Sequence, residues 1–464
     1  MSGPASDALV IFGATGDLAF KKIFPSLHEM VRAGRLDVPV VTVAREGWNA
    51  ERICERARDS IDKHGGGVDE PAFAKLAGLL RYVGGDYNSP EIFTKLRAAL
   101  GESKHPLHYL AIPPSAFPAV VEGIARSGSG EGARVIVEKP FGRDLKSAQE
   151  LNRTLRGAFE ERDVFRIDHY LGKEPVQNLL LFRLANTFLE PIWNRNYIDS
   201  VQVTMAESFG IGGRGRFYDE AGAIRDVVQN HLLQVMALLA MEPPIGNDTE
   251  AIRDEKVKVL KSIRPASTVR TVRGQVKGYR DEEGVAHGST VETFAALELQ
   301  IDSWRWAGVP FYLRTGKQLP VTATEALVRL KRPPQQSFSG IDLAPGPPNY
   351  LRFRLGPEVE IALGARVKTT GRGQTRAVEL LACRDRSEIM APYDLLLTAA
   401  MAGETVVFAR ADEVEAQWEI VEPLLDQSKP LHEYAGGTWG PRQADDLVAG
   451  PDNWHDPQPE AKIF

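Results

Sequence analysis

The chain has 464 residues, 43% of them hydrophobic, 25% charged and 8% aromatic, with a formal net charge of −6. That length exceeds what one hydrophobic core supports, so two domains are expected, in an ordinary globular composition whose mixed charges argue against a nucleic-acid surface. No apolar run approaches the roughly 20 residues of a membrane span, no signal-peptide core opens the chain, and the two cysteines, Cys54 and Cys383, imply no disulfide framework, so the cytoplasm is the default location.

In chain order, Ala8–Gly13, Val38–Ala44, Leu107–Pro113, Ala133–Lys139 and Val164–Asp168 read as strands, and Ser115–Gly128 as a helix between them. The alternation predicts a parallel sheet covered by helices. Beyond about residue 175 the texture changes. A long apolar-periodic helix is expected over Ala223–Met241, followed by alternating segments such as Thr293–Ile301 and Tyr350–Gly356 that suit an antiparallel sheet. The Pro-rich stretch Arg332–Tyr350 predicts a long loop within the second domain. The boundary falls at residues 1–172 and 173–464.

The stretch "GATGDLA" puts Gly13 and Gly16 between the first strand and a helix. Small residues in such a turn let backbone N–H groups approach a pyrophosphate at the positive end of the helix. Gly13, Ala14, Thr15, Gly16, Asp17 and Leu18 are therefore candidate dinucleotide contacts. The spacing is G-x-x-G-x-x-A, weaker as a bare pattern than G-x-G-x-x-G, and a plain strand-to-helix turn would also need the glycines. Arg45 follows the second strand where an NAD enzyme usually carries an acidic residue. Its guanidinium would suit the 2′-phosphate of NADP, although Glu46 beside it would oppose that phosphate if it pointed inward.

Ligands of open α/β sheets bind outside the carboxyl ends of the strands, where "EKPFG" (Glu138–Gly142) and "DHYLGKE" (Asp168–Glu174) both fall. If the strand persists through them, Asp168 and His169 point to opposite sides. His169, Tyr170 and Lys173 offer donors for a phosphate monoester, and an interdomain salt-bridge network is the structural alternative. His231 lies among apolar neighbours on the long helix, where a satisfied core histidine is the ordinary reading. On an α-helix Asp226, five residues earlier, is about 140° away and cannot orient it, which leaves Asp168 as a candidate. His105 and His108 lack a third ligand at metal-site spacing, so no metal is expected.

The ordered motifs "GATGDLA", "EKPFG", "RIDHYLGKE", "RDVVQNHLLQ", "WAGVPFYLRTGK" and "GTWGP" run nearly the whole chain, and together they resemble the glucose-6-phosphate dehydrogenase family. The resemblance implies an α/β Rossmann-type domain followed by a larger β+α domain with a mainly antiparallel sheet, which commonly forms a dimer interface, so a homodimer or homotetramer. It implies oxidation of β-D-glucose 6-phosphate to 6-phospho-D-glucono-1,5-lactone with NADP, NAD being a weaker alternative, at the entry to the oxidative pentose phosphate pathway. It assigns His231 as the general base and Asp168 as its partner. Lys139, His169, Tyr170, Lys173, Glu207, Asp226 and Lys317 become substrate residues. Thr15, Lys22, Arg45, Tyr109 and Lys139 align with cofactor or active-site contacts.

Two departures stand out. Thr322 replaces a second basic residue usual five positions after the "GK" lysine, and Phe20 interrupts the basic run after "GDLA". Two other readings stay open. One is a different sugar oxidoreductase with an "EKP" strand, in which Lys139 is the principal acid/base. The other is a non-catalytic sensor of NADPH or a sugar phosphate.

Overall fold

A computed structural model describes residues 4–44, 47–246, 248–264, 270–334, 337–338, 341–342, 346–368, 375–383, 391–426, 428–448 and 453–459. Arg45 and Glu46, and the side chain of Cys383, lie outside the described residues. Two compact units emerge. The first comprises Met1–Glu174, Ile245–Arg253 and Met390–Glu415; the second comprises Pro175–Pro244, Asp254–Ile389 and Ala416–Phe464.

The first unit is built on six parallel strands, β1 (Ala8–Phe12), β2 (Val40–Ala44), β3 (Leu80–Gly84), β4 (Pro106–Leu110), β5 (Arg134–Glu138) and β6 (Val164–Ile167), in the order β3-β2-β1-β4-β5-β6. This is the doubly wound dinucleotide-binding order, with reversal between β1 and β4. Strands β1, β2 and β4 are buried along their whole length, which is why they read as continuous apolar runs. Strand β3 was not expected from sequence: "LRYVG" lies at the sheet edge, buries only Leu80 and Val83, and so lacks that run. Side-chain caps start the covering helices, with Asn49, Asp69, Ser89 and Asp144 each accepting a backbone N–H of the first turn.

The later segments join the first unit for an apolar reason. Leu396, Leu397, Ala400 and Phe408 are fully buried in one core with Leu9, Leu27 and Phe165, and the rings of Phe165 and Phe408 meet edge-on at 4.8 Å. Each buried leucine contributes roughly 2 kcal/mol.

The second unit carries β7 (Ile198–Ala206), β8 (Arg270–Val276), β9 (Phe294–Gln300), β10 (Pro310–Gly316), β11 (Ala323–Leu330), the short pair β12 (Ser337–Phe338) and β13 (Ile341–Asp342), β14 (Tyr350–Gly356), β15 (Glu360–Lys368), β16 (Thr375–Cys383) and β17 (Leu431–Tyr434). Nine of them form one sheet, β16-β15-β14-β11-β7-β10-β9-β8-β17. Two pairs, β7 with β10 and β17 with β8, are parallel, and the other six are antiparallel. The Pro-rich loop expected over Arg332–Tyr350 thus contains the two-residue β12 and β13.

The long helix differs from its expected form. An α-helix over Gly215–Ala223 leads into a π-helix over Ile224–Leu232, and α-helix resumes over Leu233–Ala240. Glu292 explains the entry: its carboxylate accepts the Ile224 N–H at 3.0 Å and its carbonyl accepts the Ala223 N–H at 2.9 Å. Gly222 is required there, because it has φ +66° and a Cβ would meet the Glu292 carboxylate at 2.5 Å.

Candidate active site

In the first unit the candidate groups gather at the carboxyl ends of the strands. After β1, Gly13 turns the chain with φ +79°, and a Cβ would meet the Ala111 carbonyl oxygen at 2.1 Å. Only glycine fits this cradle. Ala14 is buried, Thr15 and Leu18 are half-buried, and Gly16, Asp17 and Lys22 are exposed. The turn leads into the helical run that starts at Ala19, which fits a pyrophosphate approaching its amino end. Arg56 braces it from behind, donating to the carbonyls of Thr15 at 2.8 Å and Gly16 at 3.3 Å. The Arg56 guanidinium stacks on Phe20 at 4.6 Å, so the residue that interrupts the basic run has a packing role. Arg56 was not anticipated, since no local pattern links it to a turn 40 residues away.

Strands β5 and β6 pair in register with Glu138 opposite Ile167, so Lys139 and Asp168 are the first residues beyond two adjacent strand ends. The Lys139–Pro140 peptide is cis. Burial raises the Glu138 carboxyl above the usual range, opposed by hydrogen bonds from Tyr109 and Tyr393 and by the charge of Lys139. Tyr109 is wholly buried, and its hydroxyl is spent on Glu138. Tyr393, in a helix far along the chain, escaped the sequence reading for the same reason as Arg56.

Strand β6 stops at Ile167, so Asp168 and His169 do not alternate as they would on a continuing strand. They enter a turn in which the Tyr170 N–H donates to the Asp168 carboxylate at 2.9 Å, the Leu171 N–H to the Asp168 carbonyl and the Lys173 N–H to the Tyr170 carbonyl, both at 3.0 Å. Asp168 is 1% exposed, whereas His169, Tyr170 and Lys173 are half-buried. The Lys173 ammonium stands 3.5 Å over the Tyr170 ring. Arg166 serves the scaffold instead: it is fully buried, paired with Glu161 at 2.5 Å and bonded to Asn152 at 2.9 Å. Gly172 is needed for close packing, since a Cβ would meet Leu396 at 2.7 Å.

In the second unit, β7 and β10 run parallel with Ala206 opposite Gly316, which makes Glu207 and Lys317 the first residues past that pair of ends. Their side chains form an ion pair. Lys317 is 2% exposed, and its ammonium lies 5.2 Å from the centre of the Tyr218 ring. Burial pushes the Tyr218 phenol well up, and the negative charges of Asp226, Glu292 and Glu207 add to the shift. At Thr322 the hydroxyl lies 3.0 Å from the Ser208 N–H and 2.8 Å from the Ser208 hydroxyl, so this residue anchors the loop after Glu207.

His231 is buried at the carboxyl end of the π-helix, its N–H bonded to the Asn230 side chain at 2.7 Å. The π form corrects the expected separation from Asp226. Hydrogen bonding in a π-helix joins residues five apart, which brings positions i and i+5 towards one face instead of 140° apart. His105 and His108 bind the carbonyls of Gly132 and Ser129, so both help hold one loop.

A glycine cradle at the switch point of a doubly wound parallel sheet, with lysine and carboxylate groups at the neighbouring strand ends, defines an oxidoreductase of the dinucleotide-dependent class. Residues 10–178 match the family model described as the glucose-6-phosphate dehydrogenase NAD binding domain, and residues 180–455 match that of the glucose-6-phosphate dehydrogenase C-terminal domain. The chain belongs to the glucose-6-phosphate dehydrogenase family. It is 42% identical over 455 residues to glucose-6-phosphate 1-dehydrogenase 1 of Mycobacterium tuberculosis, covering 98% of this chain and 97% of that one. Against the enzyme of Aggregatibacter actinomycetemcomitans the identity is 40%, with 95% of each covered. The crystal structure of the Mycobacterium avium enzyme superposes with a TM-score of 0.92 at 42% identity over 99% of this chain and all of that one. A glucose-6-phosphate dehydrogenase in complex with its substrate glucose-6-phosphate superposes with a TM-score of 0.86 at 37% identity, over 95% and 97% of the two chains. Among the described residues, no helix is long and apolar enough to cross a membrane.

Proposed function

We propose that this protein oxidises β-D-glucose 6-phosphate at C1 to 6-phospho-D-glucono-1,5-lactone, with NADP as the hydride acceptor. The observation that carries the reading is near end-to-end similarity to a substrate-complexed dehydrogenase, combined with the ionisable residues found at strand ends in each unit.

The His231 imidazole takes the C1 hydroxyl proton, and the Asp168 carboxylate orients the ring and stabilises the imidazolium. His169, Tyr170 and Lys173 bind the 6-phosphate through charge-assisted bonds, and they are neighbours, with the His169 and Tyr170 rings 5.0 Å apart and the Lys173 ammonium 3.5 Å over the Tyr170 ring. Glu207, Asp226 and Lys317 bind sugar hydroxyls, where a carboxylate and an ammonium side by side can accept and donate in one hydrogen-bond network. Lys139 stands at the strand end between substrate and cofactor. NADP supplies the hydride acceptor when bound. The Gly13–Leu18 turn holds its pyrophosphate, Lys22 adds positive charge, and Arg45 reads the 2′-phosphate.

Initial rates of nicotinamide reduction test this, run with glucose 6-phosphate and glucose, each with NADP and NAD. Turnover that requires the 6-phosphate and prefers NADP is expected. Equal turnover of glucose would remove the phosphate-binding role of His169, Tyr170 and Lys173. Faster reduction of NAD would remove the role of Arg45.

A further inference from the structure

The motif "GTWGP" and the residues just before it have no part in the chemistry above, yet they touch the backbone that carries Lys317. Tyr434 is 3% exposed, and its hydroxyl donates to the Lys317 carbonyl at 2.7 Å. The same hydroxyl oxygen lies 3.0 Å from the Thr293 hydroxyl, which itself accepts the Val276 N–H at 2.8 Å. With the Tyr434 proton spent on Lys317, Thr293 donates to Tyr434, and the three bonds form a directed chain that polarises each member. Burial raises the Tyr434 phenol well above its ordinary range, so it remains a donor throughout the neutral range.

The next residue is fastened as firmly. Gln318 has φ +51°, the one positive value found at a non-glycine position among the described residues. Such backbone persists where its surroundings over-determine it, and strain of this kind clusters at ligand sites. Here the Gly437 N–H donates to the Gln318 carbonyl at 2.7 Å, and the N–H groups of Lys317, Gln318 and Leu319 reach the carbonyls of Thr293, Phe209 and Glu207 at 2.9, 3.1 and 3.0 Å. Gly436 leaves room for the Gln318 side chain, since a Cβ there would meet its amide oxygen at 2.6 Å. These four backbone bonds all come from outside the turn, which carries the ammonium that pairs with Glu207.

We propose that Tyr434, with the Gly436–Gly437 turn, is a clamp that positions Lys317 for the substrate. Tyr434 is a positioning residue: it acts through the Lys317 backbone. The inference rests on the assignment of Lys317 to substrate binding.

The test is a double-mutant cycle in the full chain between Tyr434→Phe and Lys317→Ala, read as KM for glucose 6-phosphate, KM for NADP and kcat. Tyr434→Phe keeps the ring that packs 5.7 Å from Phe294. Lys317→Ala is expected to raise the sugar-phosphate KM by at least tenfold. Tyr434→Phe should raise it several-fold with the NADP KM unchanged, and should add nothing in the Lys317→Ala background. An unchanged KM in Lys317→Ala removes the assignment of Lys317, and the clamp with it. A raised KM in Lys317→Ala but not in Tyr434→Phe overturns the clamp alone. Effects that multiply in the double variant also overturn it, because they mark a structural role independent of Lys317. If Tyr434→Phe does not fold, Gln318→Val replaces it in the same cycle with the same outcomes, since a β-branched side chain disfavours the left-handed backbone.

Discussion

Two parallel strand pairs, β5 with β6 in the first unit and β7 with β10 in the second, end in the same way, with a lysine beside a carboxylate residue. Past the first pair come Lys139 and Asp168; past the second come Glu207 and Lys317. The constructions differ. The turn after β6 is closed by bonds among its own residues, from Tyr170 to Asp168 and from Lys173 to Tyr170, and Lys173 lies on the neighbouring tyrosine ring. The turn after β10 is held by Thr293, Phe209, Glu207, Tyr434 and Gly437, residues between 24 and 120 positions away in the chain. A turn with bonds among its own residues is readable in the sequence. A turn assembled from distant segments can hold a buried ammonium in a strained backbone, but nothing nearby announces it.

The largest effect is expected outside both turns. His231→Ala should lower kcat by about 10²–10⁴-fold with a small change in KM, the loss typical of a general base. An effect confined to KM would move the base elsewhere, with Lys139 as the next candidate.

Substitution of the two lysines tells the turns apart. Lys317→Ala removes a charge-assisted bond in a buried setting and should raise KM for glucose 6-phosphate by about 10- to 100-fold. Lys173→Ala acts at a half-buried position and should raise it by about tenfold, with KM for NADP unchanged, since solvent replaces part of the lost interaction. If Lys173→Ala proves the more damaging of the two in steady-state kinetics, depth of burial is not what separates these turns.

No larger is the expected consequence of Arg45→Ala, a fall of about tenfold in the preference for NADP over NAD, measured as the ratio of the two kcat/KM values. An unaltered ratio would assign the 2′-phosphate to another group.

Burial lowers the His108 pKa to about 4, although its bond to the Ser129 carbonyl pulls the other way. The unfolded chain takes up this proton near pH 6.5, and the folded chain refuses it until about pH 4. Folding therefore weakens as pH falls across that window, by up to about 3 kcal/mol in total. His108→Gln should move the midpoint of acid unfolding to lower pH, as followed by circular dichroism. A midpoint that stays in place would show that other groups control acid stability.

Sequence patterns reached the parts of this protein that depend on neighbours in the chain. The apolar runs of β1, β2, β4, β5 and β6 were visible because buried parallel strands need apolar residues on both faces, and the glycine cradle because a turn this tight tolerates no side chain. The segment Asp168–Lys173 was legible as a cluster of ionisable groups past a strand end because all its members fall within one turn. Other features were decided by the tertiary structure. The π-helix of Ile224–Leu232 begins where Glu292 captures two N–H groups, so the relation of Asp226 to His231 depends on a residue more than 60 positions away. Arg56 behind the dinucleotide turn, Tyr393 on Glu138 and Tyr434 on Lys317 likewise act across long stretches of chain. The ordered motifs along the chain therefore identified the family, while propensity and periodicity, being local, foretold the parallel sheet and the residue types at its strand ends. The tertiary structure decided which backbone each of those residues rides on, because hydrogen bonds between distant segments form only once the chain has folded.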